Sequence, residues 1–426
     1  MKYWLAVAVL GILAAAGVVA VAMLAAGGPE PRAKWGYAAA TLAFLLSAAH
    51  GAPVLAFATR LGRGPWGIPL RRAAELFTVA GLVTAPLFVV LLWQLPGWEA
   101  RPSIWLGWPG APQLWDSLAI ILFSLLGVAL LYTSSLPDLA VARDAGAPGV
   151  MSRLALGWTG TVRQWRVLSL GVVALGALYL MLFTFVHLLV SSDLALSLVP
   201  GWASAVIPPY HALSGLQAGV AATVLALAAL RRVGGLAPYA DIAPFRAAAK
   251  LLLALSLLVF WFIWSEFLTL WYGRMPEERR TLALLMFGPY VLPFVLSLSL
   301  NVLCPLVLLI WNPVRESIAG VTLVAGLVVA GNYLDRVRIY VAAWSVAGPV
   351  HVGEIPEPLP PLPPAQYPGL LDVLIMLGGP AAVLLLYVLA LRLAPPVSLW
   401  ERNLGRLLRT ERPYVKTELA VVAKPS

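Results

Sequence analysis

The stretch that decides the fold is FTFVHLLVSSDLALSLVPGWASAVIPPYHALSGLQAG, residues 183–219. An apolar run carries His187, then Ser191, Ser192 and Asp193. The chain breaks around Pro200-Gly201 and again at Pro208-Pro209, then re-enters an apolar run with Tyr210, His211, Ser214 and Gln217. Polar and ionisable side chains set against so much hydrocarbon are costly at membrane depth. They mark either a functional region or a loop at the lipid–water interface.

The rest of the chain is of the same kind. Of its 426 residues, 61% are hydrophobic and only 11% charged, with a mean hydropathy of +0.87. Average soluble domains carry roughly 25% charged residues, so this is a polytopic membrane protein. Ten segments approach the ~20 apolar residues that a spanning helix needs. They are approximately 3–27, 36–60, 74–96, 115–135, 167–191, 209–231, 248–272, 284–310, 315–334 and 370–394. Each run is long and continuous, whereas barrel strands alternate over about 10 residues, so the expected fold is all-α. The first run exceeds a signal-peptide core of about 7–15 residues and reads as a retained helix.

The net charge of +10 needs no nucleic acid to explain it. With the N-terminus inside, 21 of the 29 Lys and Arg residues fall on one side. That asymmetry predicts both termini in the cytoplasm and an even helix count. The outer side then holds the Trp- and Pro-rich loop 97–114, the loop after Asp193, and Trp271-Tyr272-Gly273-Arg274. It also holds a connection at 341–368 containing EIPEPLPPLPPAQYP, expected to be extended and solvent-facing. That connection is either a linker or a strap for an extracytoplasmic partner. Residues 395–426 form a basic tail suited to anionic lipid. The organisation reads as a first helix and outer loop (1–35), helices two to four with an inner loop (36–166), helices five to nine (167–340), the Pro-rich connection (341–368), a last helix (369–394) and the tail.

A single cysteine, Cys304, excludes an internal disulfide, a Cys-rich iron–sulfur site and a C-x-x-C-H haem attachment. His50, His187, His211 and His351 show no paired spacing on one helix, so a haem b would need ligands from separate helices. No metal site, haem or iron–sulfur cluster is expected on this chain, and redox centres are assigned to partners. The loops carry no phosphate-binding Gly-rich motif, Walker lysine or nucleophile elbow, which sets aside ATPases and soluble-type hydrolases.

Several polar residues remain. Asp116 opens the fourth helix, where a carboxylate also favours the helix dipole. His50 lies mid-helix beside Gly51 and Pro53, as a neutral histidine satisfied by a carbonyl or as a proton carrier. Asp193 is six residues past His187, about 120° away on a regular helix, so the two meet only if the helix unwinds. Glu266 lies about 9 Å from the outer end of its helix by helix rise and needs a partner or a proton. Lys250 starts the same helix from the inner side, where snorkelling is an alternative role. Asn301, beside Cys304-Pro305, could bond across to a neighbouring helix or cap carbonyls freed by the proline. A quinol would use such a set: an apolar slot for its ring and tail, with acid/base groups near each oxygen. A proton-conducting or scaffolding subunit would use Asp193, Glu266 and Lys250 without Asp116. A secondary transporter would show matching broken helices in two halves, and only one such break is evident.

The chain resembles the NrfD-like, or polysulfide reductase membrane subunit, family, and within it the quinol-related subunits of alternative complex III. The resemblance rests on Ala49-His50-Gly51, Arg72-Ala73-Ala74-Glu75, Leu114-Trp115-Asp116, Leu136-Pro137-Asp138-Leu139-Ala140 and Ala155-Leu156-Gly157-Trp158. It continues through His187, Ser191-Ser192-Asp193, Val199-Pro200-Gly201-Trp202, Ile207-Pro208-Pro209-Tyr210, Trp271-Tyr272-Gly273 and Asn301-Val302-Leu303-Cys304-Pro305. The third helix ends in Leu92-Trp93-Gln94-Leu95-Pro96, lacking the histidine and arginine usual in the quinol-binding member, and Leu61–Gly67 is closer to the sister subunit. The resemblance implies two four-helix bundles plus flanking helices and a quinone site (menaquinone or ubiquinone) near the outer face. It implies as partners an extracytoplasmic iron–sulfur/molybdopterin-like subunit, a multihaem cytochrome c and a second NrfD-like subunit. Asp116, His50, Asp193 and His187 are the expected acid/base residues, with Asp116, His50 and Trp115 around the quinone. The expected proton path runs through Asp193, His187, Tyr210, Glu266 and Lys250.

Overall fold

The computed structural model describes residues 2–95, 101–105, 107–146, 149–347, 358–359, 361–401, 409–414 and 417–422. Parts of the outer loop 97–114, most of the Pro-rich connection with His351, and much of the tail lie outside the described residues. Ten helices are long and apolar enough to cross a membrane. They are α1 (Tyr3–Ala26), α2 (Gly36–Leu61), α3 (Ile68–Leu92), α4 (Gln113–Asp144), α5 (Val162–Asp193), α6 (Ile207–Val233), α7 (Ile242–Gly273), α8 (Val291–Ile310), α9 (Ile318–Ser345) and α10 (Leu370–Ala390). Ten crossings return both ends of the chain to one side, here called the terminal face. In the described tail, Arg409–Tyr414 pairs antiparallel with Thr417–Val422.

Helices α2, α3, α4 and α5 close one ring of contacts, and α6, α7, α8 and α9 close a second. The rings join where α2 lies along α6, and α10 and then α1 pack outside α2. In hydrocarbon the helices gain little from burying apolar surface, so close backbone approach and polar bonds hold them together. The α2–α6 seam is built on glycines. A Cβ on Gly51 would stand 2.3 Å from the Gly215 carbonyl oxygen, and one on Gly219 would stand 2.1 Å from the Gly51 carbonyl carbon.

Two of the helix ends that differ from the sequence reading do so for one reason. The third span starts at Ile68 rather than residue 74, and the ninth runs to Ser345 rather than 334. Arg71, Arg72 and Glu75, and likewise Asp335, Arg336 and Arg338, are buried inside the spans as ion pairs. Paired charges can sit where single ones cannot, so charge read residue by residue ends these helices too early. Arg336 and Arg338 therefore leave the loop count of the opposite face, as Arg71 and Arg72 leave that of the terminal face, and the basic excess stays on the terminal face. The eighth span starts at Val291, later than expected, because Ala283–Phe287 forms a π turn before the Gly288-Pro289 break.

Candidate functional site

The α5 helix stays regular to Asp193, so His187 and Asp193 remain on different faces. The segment that follows is no interfacial loop. Leu194, Ala195, Leu198, Val199 and Trp202 are buried in the end of the bundle. Arg101, from the loop before α4, donates to the Asp193 carbonyl oxygen at 2.5 Å and to Ser197 Oγ at 2.9 Å. It thus places a cation on the carbonyl end of α5, where the helix dipole favours one. Burial draws its guanidinium below its ordinary range, while Asp193 and then Asp116 oppose the shift.

Asp116 and Asp193 meet here. Both are fully buried, and their carboxyls are within hydrogen-bonding reach of each other. Trp105 Nε1 donates to Asp116 Oδ1 at 2.6 Å, Arg101 Nη1 lies 3.8 Å from Asp193 Oδ1, and Ser103 Oγ donates to Asp193 Oδ2 at 3.4 Å. Among the described residues, Asp116 Oδ2 and Asp193 Oδ1 have no other hydrogen-bond donor. A bond between two carboxyls needs a proton on one of them, and a cation stands beside this pair. Above it Trp105 packs against Trp108, Trp115 and Phe185 at centroid distances of 5.4–6.0 Å within the group.

The histidines lie deeper. His187 Nδ1 donates to the Phe183 carbonyl at 2.8 Å, which leaves Nε2 as a lone pair. That nitrogen is buried without a partner among the described residues and faces Gly215, where a Cβ would stand 2.7 Å away. The His187 and His211 rings are 4.9 Å apart, and Tyr340 Oη pairs with His211 Nε2 at 2.8 Å. Arg336 donates to Ser47 Oγ, Ser214 Oγ, the His211 carbonyl and Asp335, and Arg338 pairs with the other Asp335 oxygen. The Tyr210 hydroxyl lies beside Asp335 and Arg338.

His50 stands apart from the carboxyl pair. Its Nδ1 pairs with Tyr179 Oη at 3.0 Å and its Nε2 with Thr84 Oγ1 at 2.9 Å, so both nitrogens are satisfied. Its ring packs on Phe123, which is two helical turns, about 10 Å, below Asp116 on α4. His50, Asp116 and Trp115 therefore do not line one small pocket.

Glu266 finds its partners in the buried segment after α5. Trp202 Nε1 donates to it at 3.2 Å and Ser204 Oγ at 2.6 Å. Lys250 is exposed on the other half of the same helix and does not meet it; sixteen residues separate them, about 24 Å of helix. Asn301 contributes its backbone. In an α-helix its carbonyl would take an N–H from residue 305, but Pro305 has none, and Gln217 Nε2 donates instead at 2.8 Å.

Sequence reasoning missed the terminal-face cluster. Arg60 bonds Glu75 and Glu401, Arg71 bonds Glu401 at 3.2 Å, and Arg72 bonds Ser135 and, at 2.8 Å, Asp138. Ser134 Oγ donates to Glu75 Oε2 at 2.8 Å. Burial alone would raise the Glu401 carboxyl, but Arg60 and then Arg71 outweigh it and hold the group below its usual range. Among the described residues, no group of three or more His, Cys, Asp or Glu could hold a metal ion.

No family model matches the chain, and no curated protein matches it. The sequence and model establish a ten-span, all-helical membrane protein.

Proposed function

We propose that this chain is the membrane subunit of an NrfD-like respiratory redox complex in a bacterial inner membrane, both termini cytoplasmic, and that it handles the protons of a quinol at the opposite, outer face. The observation that carries the reading is the buried Asp116–Asp193 pair beside Arg101, under a group of half-buried tryptophans. The donor set fits a quinone: indoles for the face of a ring and a carboxyl pair able to take up one proton. When bound, a quinol would supply electrons to an extracytoplasmic iron–sulfur partner, with a multihaem cytochrome and a second NrfD-like subunit completing the complex.

The chain's own residues then divide the work. Trp105 holds the Asp116 carboxyl in place from one side. Arg101 sets its cation beside Asp193 and on the carbonyl end of α5, which fixes the second carboxyl opposite the first. The His187 Nε2 lone pair and the His211–Tyr340 couple are the next buried proton acceptors inward, with Arg336 and Ser47 beyond them.

A second reading is a proton-conducting subunit without its own quinone. It is favoured by the further buried polar groups of the first ring, His50 with Thr84 and Tyr179, and by the Glu75–Ser134 cluster nearer the terminal face. The test is quinone content and turnover of the purified complex. Retained quinone and loss of quinol oxidation in Asp116→Asn support the first reading. A quinone-free complex whose proton flux survives Asp116→Asn and fails with Glu266→Gln supports the second.

A further inference from the structure

The middle of the second ring gathers side-chain amides that the protein does not fully satisfy. Gln217 on α6, Asn301 on α8 and Asn332 on α9 are all buried. Among the described residues, Gln217 Oε1, Asn301 Oδ1 and Asn332 Oδ1 have no hydrogen-bond partner. We propose that these three oxygens form a binding site for ordered water inside the second ring. The site stands apart from the carboxyl pair and does not depend on a quinone.

The three amides belong to one place. Gln217 Nε2 donates to the Asn301 carbonyl at 2.8 Å, which ties α6 to α8. Asn332 Nδ2 donates at 3.2 Å to the carbonyl of Ser214, one turn from Gln217 on α6. Gly331 lets α9 come so close to α8 that a Cβ there would stand 3.1 Å from Asn301 Oδ1. The nitrogens fix where two of the oxygens point. Carbonyls only accept, and Ser256 Oγ, 2.9 Å from Gln217 Nε2, gives its own hydrogen to the Leu252 carbonyl. Gln217 and Asn332 must therefore turn their nitrogens to these acceptors and their oxygens away. Asn301 itself lies in a π turn, Ser299–Leu303, a local widening of the helix that is frequent at functional sites.

The oxygens select the occupant. A buried amide oxygen without a donor is costly, so an apolar occupant would leave all three unsatisfied. An anion would meet only lone pairs. A metal cation would meet Arg336, which donates to Ser214 Oγ at 2.7 Å and so stands at the level of Asn332, while Arg336 and Arg338 share one counter-charge, Asp335. Water is neutral, donates twice, and is held at buried sites by two to four polar partners. One turn before Ser214, His211 Nδ1 is a further buried atom without a partner among the described residues. The polar interior of the second ring thus runs on from the histidines to these amides.

The experiment uses the full chain in lipid nanodiscs, ¹⁵N-labelled at asparagine alone and read by water-edited solid-state NMR. The sequence has four asparagines, Asn301, Asn312, Asn332 and Asn403, and the exposed Asn312 is the reference for contact with bulk water. Magnetisation from water should reach the Asn301 and Asn332 side chains as it reaches Asn312. Asn301→Leu removes an oxygen that has no protein partner, so the fold is kept, and transfer to Asn332 should be lost. Asn332→Leu should abolish transfer to Asn301 in the same way, with Asn312 unchanged in both variants. Native spectra in which neither Asn301 nor Asn332 receives magnetisation from water, or transfer to Asn332 unmoved by Asn301→Leu, overturn the proposal. Asn301 and Asn332 signals that shift when sodium chloride is exchanged for choline chloride would mark a bound cation and overturn it as well.

Discussion

Asp116→Asn is the sharpest probe of the carboxyl pair. The amide keeps the shape of the carboxyl, and its oxygen can still accept from Trp105 Nε1, now 2.6 Å from Oδ1. Its N–H₂ can donate to Asp193, so no buried group is stranded and no cavity opens. The stability change should stay within about 1 kcal/mol, the scale of one exchanged hydrogen bond. The function changes far more, because an amide cannot take up a proton. General acid–base groups contribute roughly 10²–10⁴-fold, so quinol-driven reduction of the partner should fall by at least about 10²-fold. The assay is stopped-flow reduction of the partner's redox centre by a soluble quinol in the purified complex, with melting temperature and subunit content as controls. Turnover within twofold of the native complex would remove the pair from the mechanism.

Three further outcomes follow from other parts of the molecule. Glu401→Gln leaves Arg60 and Arg71 short of a counter-charge and should cost about 3–5 kcal/mol at neutral pH. Because its folded carboxyl lies below the ordinary 4.5, its contribution is complete above pH 4.5 and lost as pH falls through the folded value, so the variant should show a flatter acid limb in thermal melts. A Gly215→Ala substitution puts a methyl 2.7 Å from His187 Nε2 and 3.3 Å from Ser47 Cα; overpacking of about 1–3 kcal/mol should appear as a lower melting temperature in detergent, and an unchanged value would contradict the seam. Gln217→Leu strands the Asn301 carbonyl at a cost of about 1–3 kcal/mol, and adding Pro305→Ala should restore part of it by supplying an N–H, which a double-mutant cycle measures.

The ten spans were legible because each apolar run is long enough to declare itself. The misplaced helix ends came from Arg72 with Glu75 and from Asp335 with Arg336 and Arg338, whose charges cancel only once the fold pairs them. Asp116 and Asp193 could be picked out individually, but their meeting depends on the start of α4 packing beside the end of α5, and no local spacing encodes that. Arg101 and Trp105, which fix the pair, sit in a loop whose composition suggests only an interface. The i, i+3 spacing of Arg72 and Glu75 and the lone Asp138 in an apolar run were signals for the terminal-face cluster. Glu401, more than 320 residues from Glu75, could not be joined to them by pattern alone.

The glycine seam between α2 and α6 has a mechanical consequence. At Gly51, Gly215 and Gly219 the two backbones touch with no side chain between them, so neither ring of helices can slide or tilt against the other without steric collision. Alternating access needs one half of a protein to rock about a central site. A riveted joint at mid-membrane opposes such a stroke and leaves small displacements of side chains and protons as the motions this frame permits.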